Sequence, residues 1–331
     1  MVSLKSIDSV LENVIIGKCS NSEVREKLSH LSVDEKKERL KGKLNPFEEH
    51  DYEGLLLDYD FWSDIAVEEG KKDVDNPYTS KELSELEDEL FNYEKRIFRG
   101  YDLDKNRDKV PSYNIDDFRE EQSRSENGSG EEIYGLEQSQ LDYQEEHMFV
   151  DGEHLLDDNE ANALRAYFGK ESTYINSQLS SKYKGGLWKY LPEDVRKERS
   201  ASNRKRIPFI DSAMSKAPGL KENSVLYHGV QDSHLVDIHS RVGDTVRLSS
   251  YISTSFDKNV GQGYGEVTGG VKHLFVRFLS PTGTRGIGAN DNNVKLTNWK
   301  GEHEYLLDRG QSGKIVDIDY TEGMVTVLLD E

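Results

Sequence analysis

The chain has 331 residues, 32% of them charged and 34% hydrophobic, with a formal net charge of -20; the length allows two domains and the composition is polar for a globular protein. The acidity is uneven, with 38 acidic and 20 basic side chains in residues 1–150 against 25 and 23 in residues 151–331, and so acidic a first half argues against nucleic-acid binding there. The single cysteine, Cys19, excludes an internal disulfide framework, and no run approaches the roughly 20 apolar residues of a membrane span.

Residues 1–20 lack the apolar core of a signal peptide, the run VIIG at 14–17 being too short. Synthesis in the cytoplasm without a cleavable signal is expected. Ile7, Val10, Leu11, Val14 and Ile15 fit one helical face. A second helix is predicted over 21–43, capped by Asn21 or Ser22 and closed by Pro46. From 51 the chain alternates acids with large apolar residues. Over 80–98, Ser80 reads as a cap, and Leu83, Leu86, Leu90, Tyr93 and Ile97 repeat at helical spacing. Periodicity fades over 100–148, and SRSENGSGEE at 123–132 is linker chemistry. The domains are therefore read as 1–150, an acidic, helical and partly disordered region for docking, packaging or regulation, and 151–331.

The second half opens with helices. Asp157 or Asp158 caps the first, Ala161, Leu164, Tyr167 and Phe168 form its buried stripe, and Gly169 ends it. A second is predicted over 172–182 with Ser172 as cap, and a third over 208–217 with Pro208 in its first turn. Strands follow at 224–228, 246–253, 272–279, 303–308, 313–318 and 323–329. Helices first and then mainly antiparallel strands predict an α+β fold. The nine histidines are scattered with no H-E-x-x-H spacing, so no metal is expected.

The richest stretch is GEHEYLLDRG at 301–310. In a strand Glu302 and Glu304 would share a face, and neighbouring carboxylates can have their pKa values pushed apart and their roles divided. Upstream stand SSYISTSF at 249–256, SVLYHGV at 224–230 and ANALRAYFGKESTYINSQLS at 161–180. In this order the four stretches resemble the arginine-type mono-ADP-ribosyltransferases, the family of binary bacterial toxins and of bacteriophage enzymes that modify host proteins. That family carries Arg on a first strand, S-T-S on a second and E-x-E on a third. The resemblance covers roughly residues 155–331. One position departs: His228 stands where most of the family has Arg, and the resulting Tyr-His-Gly looks like the diphtheria-toxin and poly-ADP-ribose polymerase branch.

The resemblance implies a split barrel of two small, mainly antiparallel sheets flanked by N-terminal helices. It also implies NAD as substrate and a reaction at the anomeric carbon of the nicotinamide ribose, through an oxocarbenium-like state akin to glycoside cleavage. On that footing Glu304 is the fixed carboxylate facing the developing positive charge. Glu302 engages the acceptor guanidinium, which a carboxylate grips by paired charge-assisted bonds. Ser253 holds Glu304, and Thr254 and Ser255 support that part of the cleft. His228 contacts the adenosine ribose or the pyrophosphate, the backbone of Gly229 binds the carboxamide, and Arg165, with Tyr167 nearby, reaches the phosphates. Tyr264, in the loop 257–266, stacks on the nicotinamide, and Trp299 is a candidate for partner contact. The function expected is transfer of ADP-ribose from NAD to arginine of a target protein in a host cell cytoplasm, by a phage enzyme or a secreted effector, with no membrane partner. NAD glycohydrolase activity and an impaired NAD-binding or partner-binding module are the alternatives.

Overall fold

The computed structural model describes residues 33–40, 44–71, 79, 81–86, 88–90, 110–120, 136–150, 153–180, 192–229, 235–236, 239–263, 274–289 and 304–330. The chain divides into two units, residues 1–105 and 106–331.

In the first unit, helix α1 (Val33–Leu40) is followed by α2 (Pro46–Lys71). Pro46 opens the 26-residue α2 rather than closing the helix before it. The first helical position needs no N–H, and proline's fixed φ suits it. Asn45 supplies the cap: its Oδ1 accepts from the Phe47 and Glu48 amides at 2.9 and 3.0 Å, and the Glu48 carboxylate accepts from the Asn45 amide at 3.0 Å. Tyr52 and Leu56 are buried and Leu57, Phe61 and Val67 are exposed. Residues 81–86 and 88–90 are helical, within the helix expected over 80–98. The helix expected near the N-terminus and the linker at 123–132 lie outside the described residues.

The second unit begins its helical layer with α3 (Leu136–Met148), then the two-residue strands β1 (Phe149–Val150) and β2 (Glu153–His154), α4 (Asp158–Ala166), α5 (Ser172–Leu179) and α6 (Glu193–Lys216). Asp157 caps α4 by a reciprocal box with Glu160, worth about 1 kcal/mol. Glu160 is buried because α6 satisfies it: Ser212 donates at 2.6 Å and Lys216 at 2.7 Å. Between α4 and α5 the chain makes a π-helical turn, Tyr167–Glu171, broken at Gly169 (φ -84, ψ -114). Ser172 is therefore the first residue of α5 rather than its cap. Helix α6 starts 15 residues before the predicted start at 208, so Pro208 lies inside it. Pro208 and Arg204, whose carbonyl it leaves without an N–H, are both exposed, so water can serve that carbonyl.

The strands are β3 (Ser224–Gly229), β4 (Thr245–Arg247), β5 (Ile252–Ser255), β6 (Phe275–Ser280), β7 (Gly286–Gly288), β8 (Glu304–Leu307), β9 (Ser312–Asp319) and β10 (Met324–Leu329). A short helix, α7 (Lys258–Gly263), follows β5. Hydrogen bonds link the strands in the order β4-β9-β10-β6-β3-β5-β8-β7, antiparallel except for β6 with β10. Strand β3 meets β5 at one pair only, Tyr227↔Ser255. The sheet is thus split there into a five-stranded and a three-stranded lobe, giving the expected α+β split barrel. The strand predicted over 246–253 proves to be two, because the chain leaves the five-stranded lobe after β4 and enters the three-stranded one at β5. Strand β7 was not anticipated.

Among the described residues, three apolar clusters hold this unit. Leu226, Phe256, Val276, Phe278, Tyr305 and Val325 are among those on the inner face of the strands. Leu164, Tyr167, Ile175, Ile210, Tyr251 and Leu306 join the helices to the three-stranded lobe. Val225, Tyr227, Phe275 and Met324 form an outer face covered by Val110, Tyr113 and Phe118. Each fully buried large side chain contributes about 1.5–3 kcal/mol.

Candidate active site

Glu304 opens β8, half-buried, and the antiparallel register sets it directly opposite Ser255. Side chains alternate along both strands, so Ser253, Ser255, Glu304 and Leu306 share one face. Leu306 and Tyr251 on that face pack against the helices, so Glu304 projects from the helix-facing side of its strand end. Ser253, paired with Leu306, is its diagonal neighbour. Thr254 turns the other way, is buried, and donates to the Tyr305 carbonyl at 2.5 Å, fastening β5 to β8. The Ser255 hydroxyl accepts from the Asp257 amide at 3.0 Å, where the chain turns into α7.

His228 and Gly229 end β3. The His228 ring spans the split: its Nδ1 lies 2.7 Å from the Ser253 carbonyl oxygen. A carbonyl oxygen only accepts, so Nδ1 carries the hydrogen in this contact. The structure therefore sets Ser253 and Ser255 on the face of Glu304, and brings His228 against the Ser253 backbone. Arg165 lies on α4, where it donates to Asn162 Oδ1 at 2.6 Å. Tyr167 sits deeper, fully buried, its hydroxyl donating to the Tyr251 carbonyl at 3.1 Å. Glu302, Tyr264 and Trp299 lie outside the described residues, and the loop expected at 257–266 contains α7.

Several supporting residues carry no functional signal of their own in the sequence. Asn176, in the YIN triplet of α5, donates to the Tyr251 carbonyl at 3.0 Å and to the Tyr167 hydroxyl at 2.9 Å. The Tyr251 hydroxyl donates to Asp211 Oδ1 at 2.6 Å, and Arg309 clasps both oxygens of Asp211 at 2.8 and 2.6 Å. Tyr251 lies two residues before Ser253 and Arg309 five after Glu304, so one polar cluster ties both strands to α6. Burial alone would raise the Asp211 carboxyl, but the hydrogen bonds from Arg309 and Tyr251, with the Arg309 charge, hold it below its usual range. Burial, then the bond to Asp211, pushes the Tyr251 phenol up, so it stays a donor. The signal for this cluster was present in the YIN and DRG triplets, but their partners are distant in sequence.

The far edge of the three-stranded lobe is closed by a side chain. Gln144 of α3, fully buried, donates to the Gly286 and Pro218 carbonyls at 3.0 Å each and accepts from the Gly288 amide at 2.7 Å. Its amide meets β7 as a neighbouring strand would. Gly288 has no side chain because Leu141 of α3 occupies that space. Among the described residues no group of three or more His, Cys, Asp or Glu side chains is placed to hold a metal ion, and no helix is long and apolar enough to cross a membrane.

Residues 138–331 match the profile of the ADP-ribosyltransferase exoenzyme family. Among solved structures, the chain is similar to the Vis toxin, an ADP-ribosyltransferase from Vibrio splendidus, at 17% identity over 66% of this chain and 91% of that one, with a TM-score of 0.44. It is similar to the C3 exoenzyme of Clostridium limosum at 21% identity over 59% and 93%, with a TM-score of 0.41. A third similar structure, an ADP-ribosyltransferase toxin from Paenibacillus larvae, shares 16% identity over 58% and 92%, with a TM-score of 0.40. No curated protein sequence matches the chain.

Proposed function

Because the chain belongs to the ADP-ribosyltransferase exoenzyme family, we propose that it moves ADP-ribose from NAD to an arginine side chain of a target protein in a host cell. The observation that carries the assignment of roles is the β5–β8 register, with Ser255 opposite and Ser253 diagonal to Glu304 and with His228 fastened to the Ser253 carbonyl.

The bond that breaks joins the anomeric carbon of the nicotinamide ribose to the ring nitrogen. Its electron pair leaves with nicotinamide, and positive charge develops on the sugar. Glu304 is the carboxylate that faces this charge. A strand end fixed on one side by β5 and on the other by β7 costs no reorganisation as the charge forms. Ser253 and Ser255 share its face and are the residues that hold the carboxylate in place. His228, its Nδ1 hydrogen engaged by the Ser253 carbonyl, contacts the adenosine ribose or the pyrophosphate. Phosphate charge falls to Arg165 on α4, and the carboxamide to the Gly229 backbone. Tyr167 serves indirectly, by holding the Tyr251 carbonyl behind β5. A guanidinium nitrogen attacks the anomeric carbon, and its proton passes to Glu302 or to water. A carboxylate at 302 is the reason for choosing arginine as acceptor.

The test is mass spectrometry of host-lysate proteins incubated with NAD and either the full chain or its Glu304→Ala variant. ADP-ribose on arginine that disappears with the variant is expected. Nicotinamide release without protein modification would replace transfer with hydrolysis. Loss of neither product in the variant would overturn the role of Glu304.

A further inference from the structure

Residues 110–120 precede the residues that match the family profile, yet they are built into the sheet at its split. Arg119 pairs with the start of β3: its amide donates to the Asn223 carbonyl at 3.0 Å, and its carbonyl accepts from the Val225 amide at 2.9 Å. On that side β3 pairs with β5 only at Tyr227, so Arg119 occupies an edge that the split leaves open. Side chains lock this pairing. One Arg119 nitrogen donates to both oxygens of Glu222 at 2.8 Å, and Asn223 donates to the Asp117 carbonyl at 3.3 Å. Val110, Tyr113 and Phe118 cover the outer apolar face that contains Tyr227.

The strap ends on the joint of the split. The Glu120 carboxylate accepts the hydroxyl hydrogen of Tyr227 in a short hydrogen bond. Tyr227 is the one residue of β3 that pairs with β5, and it immediately precedes His228. Its other side is closed by α7, where a Cβ on Gly261 would meet the Tyr227 Cβ at 2.5 Å and its backbone at 3.0 Å. The tyrosine is thus wedged between α7 and the strap.

We infer that the strap 110–120 is a positioning element for the NAD site, and that Glu120 and Tyr227 are positioning residues that fix the end of β3 carrying His228 and Gly229. For NAD binding this rests on the transferase reading above. The physical step is local. A phenol bonded to a carboxylate is a charge-assisted contact with a narrow preferred geometry. It pins the residue through which the two lobes touch, and so sets how far His228 stands from Ser253.

The experiment uses the full chain with Tyr227→Phe, Glu120→Ala, Glu120→Gln and the Tyr227→Phe/Glu120→Ala double variant. Amide exchange over 224–229 is read alongside the KM for NAD and kcat for nicotinamide release. In Tyr227→Phe and Glu120→Ala we expect exchange at 227–229 to rise about tenfold, as one lost hydrogen bond to a charged group predicts, with 304–307 unchanged. The KM for NAD rises severalfold while kcat stays within about twofold. The double variant is no worse than either single one. Glu120→Gln, which keeps an acceptor oxygen, recovers most of the loss. Unchanged exchange at 227–229, exchange raised throughout the second unit, or a fall in kcat at constant KM would each overturn the inference. If the unaltered chain releases no nicotinamide, the transferase reading fails, and exchange over 227–229 still judges the strap.

Discussion

In the three-stranded lobe, the strands bearing Ser253 and Glu304 are tied to the helices by polar groups: Tyr167, Asn176 and Asp211 behind β5, Arg309 after β8 and Gln144 along β7. In the five-stranded lobe, β3 is backed by an apolar face and by the strap. On the proposed function, the difference follows from what each lobe must present. A carboxylate meeting developing charge has to be placed to within a fraction of an ångström, and directional bonds supply that. A surface that binds a large dinucleotide needs a stiff edge, and packing with one pinned joint supplies it. On this view, damage to the polar ties should appear in kcat, and damage to the strap in the KM for NAD.

The largest expected effect is at the carboxylate itself. Glu304→Gln should lower kcat on the order of a thousandfold with the KM for NAD little changed, measured by nicotinamide release. A matching rise in KM would erase the proposed division between lobes. Next is Gln144→Leu, which leaves the Gly288 amide and the Gly286 carbonyl buried without their partner. A loss of about 3 kcal/mol in urea unfolding is expected. Arg309→Ala comes below that: the Arg309–Asp211 pair is more than a third exposed on both sides, so after solvent screening about 1 kcal/mol is expected. Its sharper readout is kinetic, a severalfold fall in kcat at constant KM, because β8 loses its tie to α6.

What the sequence made legible follows the same division. Strands β3, β6 and β10 are short apolar runs, and β9 carries Ile315, Val316 and Ile318; strand chemistry of this kind is local. Glu304 and the Ser253–Ser255 triplet stood out through their order along the chain. The polar ties did not, because a hydrogen bond such as Gln144 to Gly288 joins residues 144 apart and leaves no periodic trace. Helix α3 buries Gln140 and Gln144 beside Leu136 and Leu141, so its inward face reads as polar and its period is lost. Strand β7 is Gly-Ile-Gly, too short to alternate. The first half of α6 is charged and solvated, which left only its apolar end, around Ile210 and Met214, to be read. Pro46 reads as a stop because helix entry and helix exit share residue types, and Asn45 decides between them only through its cap bonds.

The smallest expected effect separates two aspartates near the same strand end. Asp211 is held below its ordinary value of 3.8, because the bonds from Arg309 and Tyr251 outweigh burial. Glu160 behaves alike against its ordinary 4.5, with Lys216 and Ser212 outweighing burial. For a carboxyl whose folded value is depressed, the unfolded chain takes up protons first as pH falls. The stabilisation is therefore complete at neutral pH and is lost below about pH 4. Asp308 has the opposite sign. Burial raises it above 3.8 although Arg285 stands 3.2 Å away, so its contribution is present below that value and lost as pH rises through the folded one. Urea midpoints at pH 3, 5 and 7 should then diverge in opposite directions for two isosteric variants. Asp211→Asn should be less stable than the unaltered chain at pH 7, with the gap closing toward pH 3. Asp308→Asn should be more stable at pH 7, also converging at pH 3, and each gap should be about 1 kcal/mol or less, because water reaches the Asp211–Arg309 pair and the exposed Arg285 beside the buried Asp308. If both variants moved the same way with pH, the charge of Asp308 would be as well compensated as that of Asp211, and the polar ties would extend past Arg309 to the buried end of β8.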